Sequence, residues 1–263
     1  MGDDLSKLLE TTQAERLATG FLFTEGPLWH PDGFYYFVDI RRSNLHRITP
    51  GKPAELVRAD TGEGNGTTFD LQGRLVICEG GHRRVTRWSA DGRSEVLVDR
   101  YEGKRLNRPN DVVCKSDGSL WFTDPGLRVP LAERELPSAG VYRIAPDGKT
   151  SLVADCEYPN GLAFSPDERV LYVANTRWTQ YILALELDAA GALVRRRIFA
   201  DMSSDETDGV PDGTRLGIIR TPEVPANCAF GGPDLRTLFL TARTSVYALR
   251  VKVPGRPHPW YRR

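Results

Sequence analysis

The chain has 263 residues, 40% of them hydrophobic and 27% charged, and its 35 acidic and 35 basic side chains give a formal net charge of zero. That balance supplies a core and gives no electrostatic reason to expect nucleic acid or an anionic membrane as a partner. No run approaches the roughly 20 apolar residues that cross a bilayer, and one all-β barrel or propeller of this length is ordinary.

The N-terminus, MGDDLSKLLETTQAERL, is charged and lacks the apolar stretch of a signal peptide. Its Leu5 to Leu17 stretch carries the one long amphipathic helical pattern in the chain. Cys78, Cys114, Cys156 and Cys228 form no CxxC pair and sit in or beside apolar runs, which predicts buried free thiols in a reducing, cytoplasmic compartment.

Five segments then repeat one pattern of a polar residue, an apolar run, a turn and a second apolar run. They are EGPLWHPDGFYYFVD from Glu25, NGTTFDLQGRLVICE from Asn65, NDVVCKSDGSLWFTD from Asn110, NGLAFSPDERVLYVAN from Asn160 and NCAFGGPDLRTLFLTA from Asn227. The turn centres are Asp32-Gly33, Gln72-Gly73, Asp117-Gly118, Asp167-Glu168 and Asp234-Leu235, always at the same offset from the leading residue. Apolar runs flanking an Asp-Gly-like turn predict β-hairpins. Leading residues 40, 45, 50 and 67 apart predict units of about four strands, which is the repeat of a propeller blade. The expected fold is a single all-β propeller domain over residues 1–263, with the blades in about 14–253 and a loose tail, PGRPHPWYRR, in 254–263. The stretch from Leu17 to Phe23 and the strand Ser245 to Val251 are expected to share one blade.

In a propeller the first strand of each blade lines the central channel, so residues at one repeat position converge on the axis. Here that position holds Glu25, Asn65, Asn110, Asn160 and Asn227. A carboxylate with several amide oxygens is a hard-oxygen donor set suited to Ca²⁺. The plainer reading is that Asn is common before strands because it makes turns. The last spacing, 67, is too long for one blade and too short for two. Asp212, in Asp208-Gly209-Val210-Pro211-Asp212-Gly213, lies 52 residues after Asn160, where the next leading residue is due. The hairpin that should follow is missing, which leaves one blade truncated by roughly 25 to 35 residues after Asp212.

The order of EGPLW, NRPNDVV, PNGLAFSPD, PDG and CAFGG resembles the SMP-30/gluconolactonase/luciferin-regenerating-enzyme family over nearly the whole chain. The resemblance implies a six-bladed propeller with a divalent ion, Ca²⁺ or else Zn²⁺, Mn²⁺ or Mg²⁺, in its channel. It implies Glu25, Asn160 and Asp212 as protein ligands to the metal, and Asn110 as a further ligand or a substrate contact. It also implies Arg108 as a substrate-binding residue and Asp212 as the catalytic acid/base.

The expected function is therefore metal-dependent opening of a sugar or small aliphatic lactone, the partner being that small molecule. Organophosphate or aryl-ester hydrolysis at the same site, or a non-catalytic calcium-binding propeller, are the alternatives. The chain would be a monomer, or a dimer joined at the damaged blade. No G-x-S-x-G, H-E-x-x-H or Walker motif is present, and His30, His46, His82 and His258 include no i,i+4 pair. Trp29 and Trp121 are expected in the core, His82 at the surface, and Trp178 with Tyr181 at the edge of the pocket.

Overall fold

A computed structural model describes residues 4–89, 91–126, 128–177, 179–202 and 218–262. The chain is all-β, and its strands group as propeller blades. Among the described residues there are five four-stranded antiparallel sheets and one short ribbon. The sixth blade of the expected six is not among them. The segment from Asp208 to Gly213, with Asp212, lies outside the described residues, as does Trp178.

In chain order the first sheet is Thr24–His30, Phe34–Asp39, Asn44–Ile48 and Glu55–Arg58. The second is Gly64–Phe69, Leu75–Glu79, Arg84–Trp88 and Ser94–Val98. The third is Val112–Cys114, Leu120–Asp124, Ala139–Ile144 and Thr150–Cys156, and the fourth is Pro159–Phe164, Val170–Arg177, Thr179–Leu187 and Leu193–Asp201. The fifth has the order Glu15–Thr19, Ser245–Arg250, Thr237–Ala242, Pro225–Gly231. Its outer strand comes from the N-terminus, so Glu15 pairs with Ala248 and Thr19 with Ser245, the two ends of the chain meeting as the sequence suggests. The Leu5 to Leu17 pattern forms no α-helix. Asp4–Lys7 is a 3-10 turn, and Glu15–Thr19 is drawn into the sheet, where a partner strand satisfies its backbone.

The five repeat turns share one geometry. The second residue of each turn centre has positive φ, at Gly33, Gly73 and Gly118 but also at Glu168 (58°) and Leu235 (55°). Its N–H closes back on the carbonyl three residues earlier at 2.9–3.0 Å. Side chains stand off the left-handed region because Cβ crowds the backbone. Glu168 holds that conformation while its carboxylate takes the N–H and hydroxyl of Ser116 in the neighbouring sheet.

By contact density the chain divides into two compact units, Met1–Thr67 with Leu216–Arg263, and Thr68–Arg215. In the second unit, Val76, Cys78, Val85, Phe122 and Tyr142 fill the space between the second and third sheets, and Trp121, Val141, Leu171 and Leu185 that between the third and fourth. In the first, Trp29, Tyr35, Phe37, Phe239 and Val246 pack the first sheet on the fifth. Trp29 and Trp121 are thus core residues, as their alternation predicts. Cys78, Cys114 and Cys156 are buried free thiols, and burial pushes the Cys78 thiol well up. Cys228 corrects the expectation, for it is free but exposed.

The tail is also better held than its composition suggests. Pro259–Arg262 forms a 3-10 turn, Trp260 meets His30 edge-on at 5.4 Å, and Tyr261 packs on the Trp29 cluster. The Tyr261 hydroxyl donates to the Trp29 carbonyl. Aromatic area outweighs the Pro-rich composition here. Tyr261→Phe, which removes only that donor, should lower stability in urea by about 1 kcal/mol, and an unchanged midpoint would show that the ring alone holds the tail.

Candidate functional site

Each leading residue stands near the start of the first strand of its sheet, and at three of them the backbone departs from regular pairing. The register slips between Glu25 and Leu28, between Pro159 and Leu162, and between Pro225 and Asn227. A bulge adds a residue to one strand and re-aims the side chains around it. Three of the five leading residues, Glu25, Asn160 and Asn227, therefore sit on bulges.

Glu25 is buried, with 7% of its surface exposed, and its Oε2 accepts the Gly26 N–H at 3.1 Å. Gly26 has φ 56°, and a Cβ built on it would lie 2.2 Å from the Asn65 carbonyl oxygen. The Thr67 hydroxyl donates to the Gly26 carbonyl at 2.9 Å, tying the bulge down from the other side. Glycine is thus required beside Glu25 for both conformation and space.

In the second unit Arg108, Asn110 and Asn160 are brought onto one framework. The carboxylate of Asp124, the last residue of its strand and 0% exposed, takes the N–H groups of Asn107 at 2.8 Å and Arg108 at 2.6 Å. Asn110 donates its N–H to the Thr123 carbonyl at 2.8 Å, and the Thr123 hydroxyl donates to the Asn160 carbonyl at 2.7 Å. One strand end therefore fixes the backbone of all three residues. The Asn160 amide is turned by its Nδ2 bond to Thr176 Oγ1 at 2.9 Å. That leaves Asn160 Oδ1, and the whole Asn110 side chain, without a hydrogen-bond partner among the described residues. Both residues are half-buried, so their oxygens stay open to solvent or to a ligand. Among the described residues no three His, Cys, Asp or Glu side chains gather as a metal cluster.

Burial raises the Asp124 carboxyl to about 7, the desolvation outweighing the two backbone N–H groups and the Arg83 guanidinium that oppose it. Arg108 is half-buried; desolvation lowers its pKa and the nearby Arg128 guanidinium lowers it further. His82 lies exposed against Glu79, a surface histidine as expected.

Asp124 is not alone in its role. Asp39 closes the second strand of the first sheet and takes the N–H groups of Leu22 at 2.9 Å and Phe23 at 3.1 Å. Asn175, two residues before the end of the second strand of the fourth sheet, plays a similar part with one bond, its Oδ1 accepting the Tyr158 N–H at 2.7 Å. These clamps fix the approach to Glu25, Asn110 and Asn160 respectively. The repeat segments carry their signal as a polar last letter, in FYYFVD, LWFTD and LYVAN, which reads from sequence as an ordinary turn former.

With that geometry in view, residues 23–216 match the SMP-30/gluconolactonase/LRE-like region. The chain belongs to this family. It is 29% identical to a gluconolactonase of Zymomonas mobilis, over 93% of this chain and 83% of that one. It is 31% identical to the pentonolactonase XacC of Haloferax volcanii, over 82% of this chain and 80% of that one. A solved gluconolactonase structure from Xanthomonas campestris is 35% identical and superposes with a TM-score of 0.84 over 95% of this chain and 93% of that one. The alignment with the Zymomonas protein runs over 296 positions, more than the 263 residues of this chain, so that relative carries residues with no counterpart here.

Two outcomes follow from the site's supports. Gly26→Ala should cost about 2 kcal/mol or more in urea denaturation, since both φ and the Asn65 carbonyl oppose a Cβ; a cost below about 1 kcal/mol would mean the bulge is soft. Because the Asp124 carboxyl is raised in the fold, the folded state holds its proton longer than the unfolded chain does. The Asp124 contribution to stability should therefore be lost as pH rises from about 4 to about 7, so the stability of the wild type relative to Asp124→Asn should fall across that range in urea midpoints.

Proposed function

We propose that this chain is a lactonase that opens the ring of a sugar or small aliphatic lactone with the help of a divalent cation. The observation that carries the reading is the pair of unpartnered amide oxygens, Asn110 and Asn160, held by one strand end beside Arg108. The Zymomonas, Haloferax and Xanthomonas relatives, all of them lactonases by name, support it.

Glu25 and Asn160, with Asp212 and in addition Asn110, are the residues that would hold the cation. All four offer hard oxygen donors and none offers sulfur or imidazole, a set that suits Ca²⁺ and also admits Mg²⁺ or Mn²⁺ more readily than Zn²⁺. When bound, the cation would polarise the lactone carbonyl and stabilise the negative charge that develops on its oxygen. Asp212 would take the proton from the attacking water and return it to the departing ring oxygen, conserving the proton over the cycle. Arg108, its backbone pinned by Asp124, would direct its planar fork at hydroxyl oxygens of the substrate. The fold of this reading is a single six-bladed propeller domain in which the blade after Asp212 is reduced. The three buried thiols fit a reducing, cytoplasmic setting. A non-catalytic cation-binding propeller is the second reading, favoured by the residues that the Zymomonas relative has and this chain lacks.

Purified protein should hydrolyse glucono-1,5-lactone in a pH-stat faster than the spontaneous rate, and excess chelator should abolish the gain. Asp212→Asn, which keeps an oxygen ligand and loses the base, should reduce kcat by about 100-fold or more. Full turnover by that variant would remove Asp212 from the mechanism, and a folded, cation-binding, inactive wild type would favour the second reading.

A further inference from the structure

The segment that delivers Arg108 is gripped on its carbonyl side as well as on its amides. Leu106, 0% exposed, gives its N–H to the Asp99 carbonyl at 2.9 Å, and its own carbonyl takes Nε of Arg83 at 2.6 Å. Asn107 and Arg108 then give their N–H groups to Asp124. Every backbone group from the Leu106 N–H to the Asn107 N–H thus has a partner, and the carbonyl is met by a cation.

Arg83 reaches that carbonyl from a different sheet. It stands in the turn between Leu75–Glu79 and Arg84–Trp88, with only 9% of it exposed, and its Nη1 donates to the Glu133 carbonyl at 3.2 Å. One planar guanidinium therefore ties its own turn to the approach to Asn110 and to the loop after Asp124. Arg105, just ahead of Leu106, returns a bond from Nη2 to the His82 carbonyl at 3.3 Å. Ser43 holds the matching place in the first sheet, four residues after Asp39 as Arg83 is four after Glu79. Its carbonyl takes the Thr61 N–H at 2.8 Å and its hydroxyl the Glu63 N–H at 3.0 Å. In both sheets, then, a turn braces the entry to the next sheet, and the second sheet does so with a charge.

Arg83 holds this place at a local cost. Its φ is 59°, a left-handed backbone that side chains avoid, although the same turn contains Gly80 and Gly81. Its Nη2 is buried without a hydrogen-bond partner, which is unfavourable in itself. Two such features on one residue direct attention to a role outside the stability of the turn.

We infer that Arg83 is a positioning residue for Arg108: it fixes the carbonyl side of the segment while Asp124 fixes the amide side, and together they set the direction in which the Arg108 guanidinium meets substrate. The inference rests on the lactonase reading and adds to it a residue that acts through Arg108 rather than on the substrate.

The test is a double-mutant cycle on kcat/KM for glucono-1,5-lactone. Arg83→Lys keeps a cation but replaces the planar fork by one ammonium on a flexible stem, so it does not hold both carbonyls in the same geometry. Alone it should lower kcat/KM by about tenfold, chiefly through KM, because the binding guanidinium is misaimed. In an Arg108→Met background the same change should alter kcat/KM by less than about twofold, since nothing is left to aim. An equal loss in both backgrounds, or no loss in the first, would overturn the inference and leave Arg83 as a packing residue. Amide hydrogen exchange gives a readout independent of turnover. The Asn107 and Arg108 amides should exchange about tenfold faster in Arg83→Lys, while those of Ala139–Ile144 in the same sheet keep the wild-type rate. Unchanged exchange at Asn107 and Arg108 also counts against the brace. Should the lysine variant not fold, Arg83→Gln, which keeps a donor for Leu106, takes its place in both arms. If the wild type opens no lactone, the lactonase reading fails by itself, and the exchange rates still decide whether Arg83 holds the segment.

Discussion

A backbone N–H taken out of water needs an acceptor, and in this chain the critical ones find it in a buried side chain at the end of a neighbouring strand. Asp39 and Asp124 close the second strand of a sheet, Asn175 stands two residues before the end of another, and each captures the approach to its first strand. Without such a clamp, the Leu106-to-Asn110 segment would be a loop restricted by Pro109 alone and with no fixed direction. With it, Arg108 and Asn110 leave a rigid edge at a set angle. The cost is a fully buried carboxyl at Asp124, whose pKa climbs to about 7 because desolvation exceeds what two N–H bonds and Arg83 return.

The bulges complete what the clamps begin. A regular strand alternates its side chains between two faces, so a residue at its end points wherever the pleat dictates. At Glu25, Asn160 and Asn227 the register slips instead, and the side chain is freed from that alternation. Gly26 shows how specific the arrangement is, since only a residue without Cβ clears the Asn65 carbonyl. Strain of this kind belongs to positions whose aim matters more than their stability. The same economy appears around Asn107, where one carboxylate orders both a guanidinium and a buried amide acceptor.

Packing and chemistry are separated along each repeat. The apolar runs face neighbouring sheets and make the core, as with Trp121 against Leu171 and Leu185. The polar residues collect at the strand ends, where backbone groups need partners and where a ligand can reach. This division lets the site residues vary without dissolving the sheets. It also accounts for five complete sheets persisting in a chain that is short of its Zymomonas relative.

Much of this was legible in the amino-acid order. Two apolar runs around a turn at constant offset specify hairpins through local sterics alone, and even Glu168 and Leu235, which lack glycine's freedom, adopt the left-handed turn their register demands. The constant offset from the turn identified the residues that lead each repeat, and the blade expected to join Leu17 to Phe23 with Ser245 to Val251 forms a few residues earlier, from Glu15–Thr19 against Ser245–Arg250. The rest depended on contacts between residues far apart in sequence. A polar letter at a strand end does not say which N–H it will meet, so the Asp124 clamp was invisible. Composition does not register the aromatic surface onto which Tyr261 folds. Periodicity sets local conformation because it acts within a few residues; aim and docking are decided only when separate sheets press together.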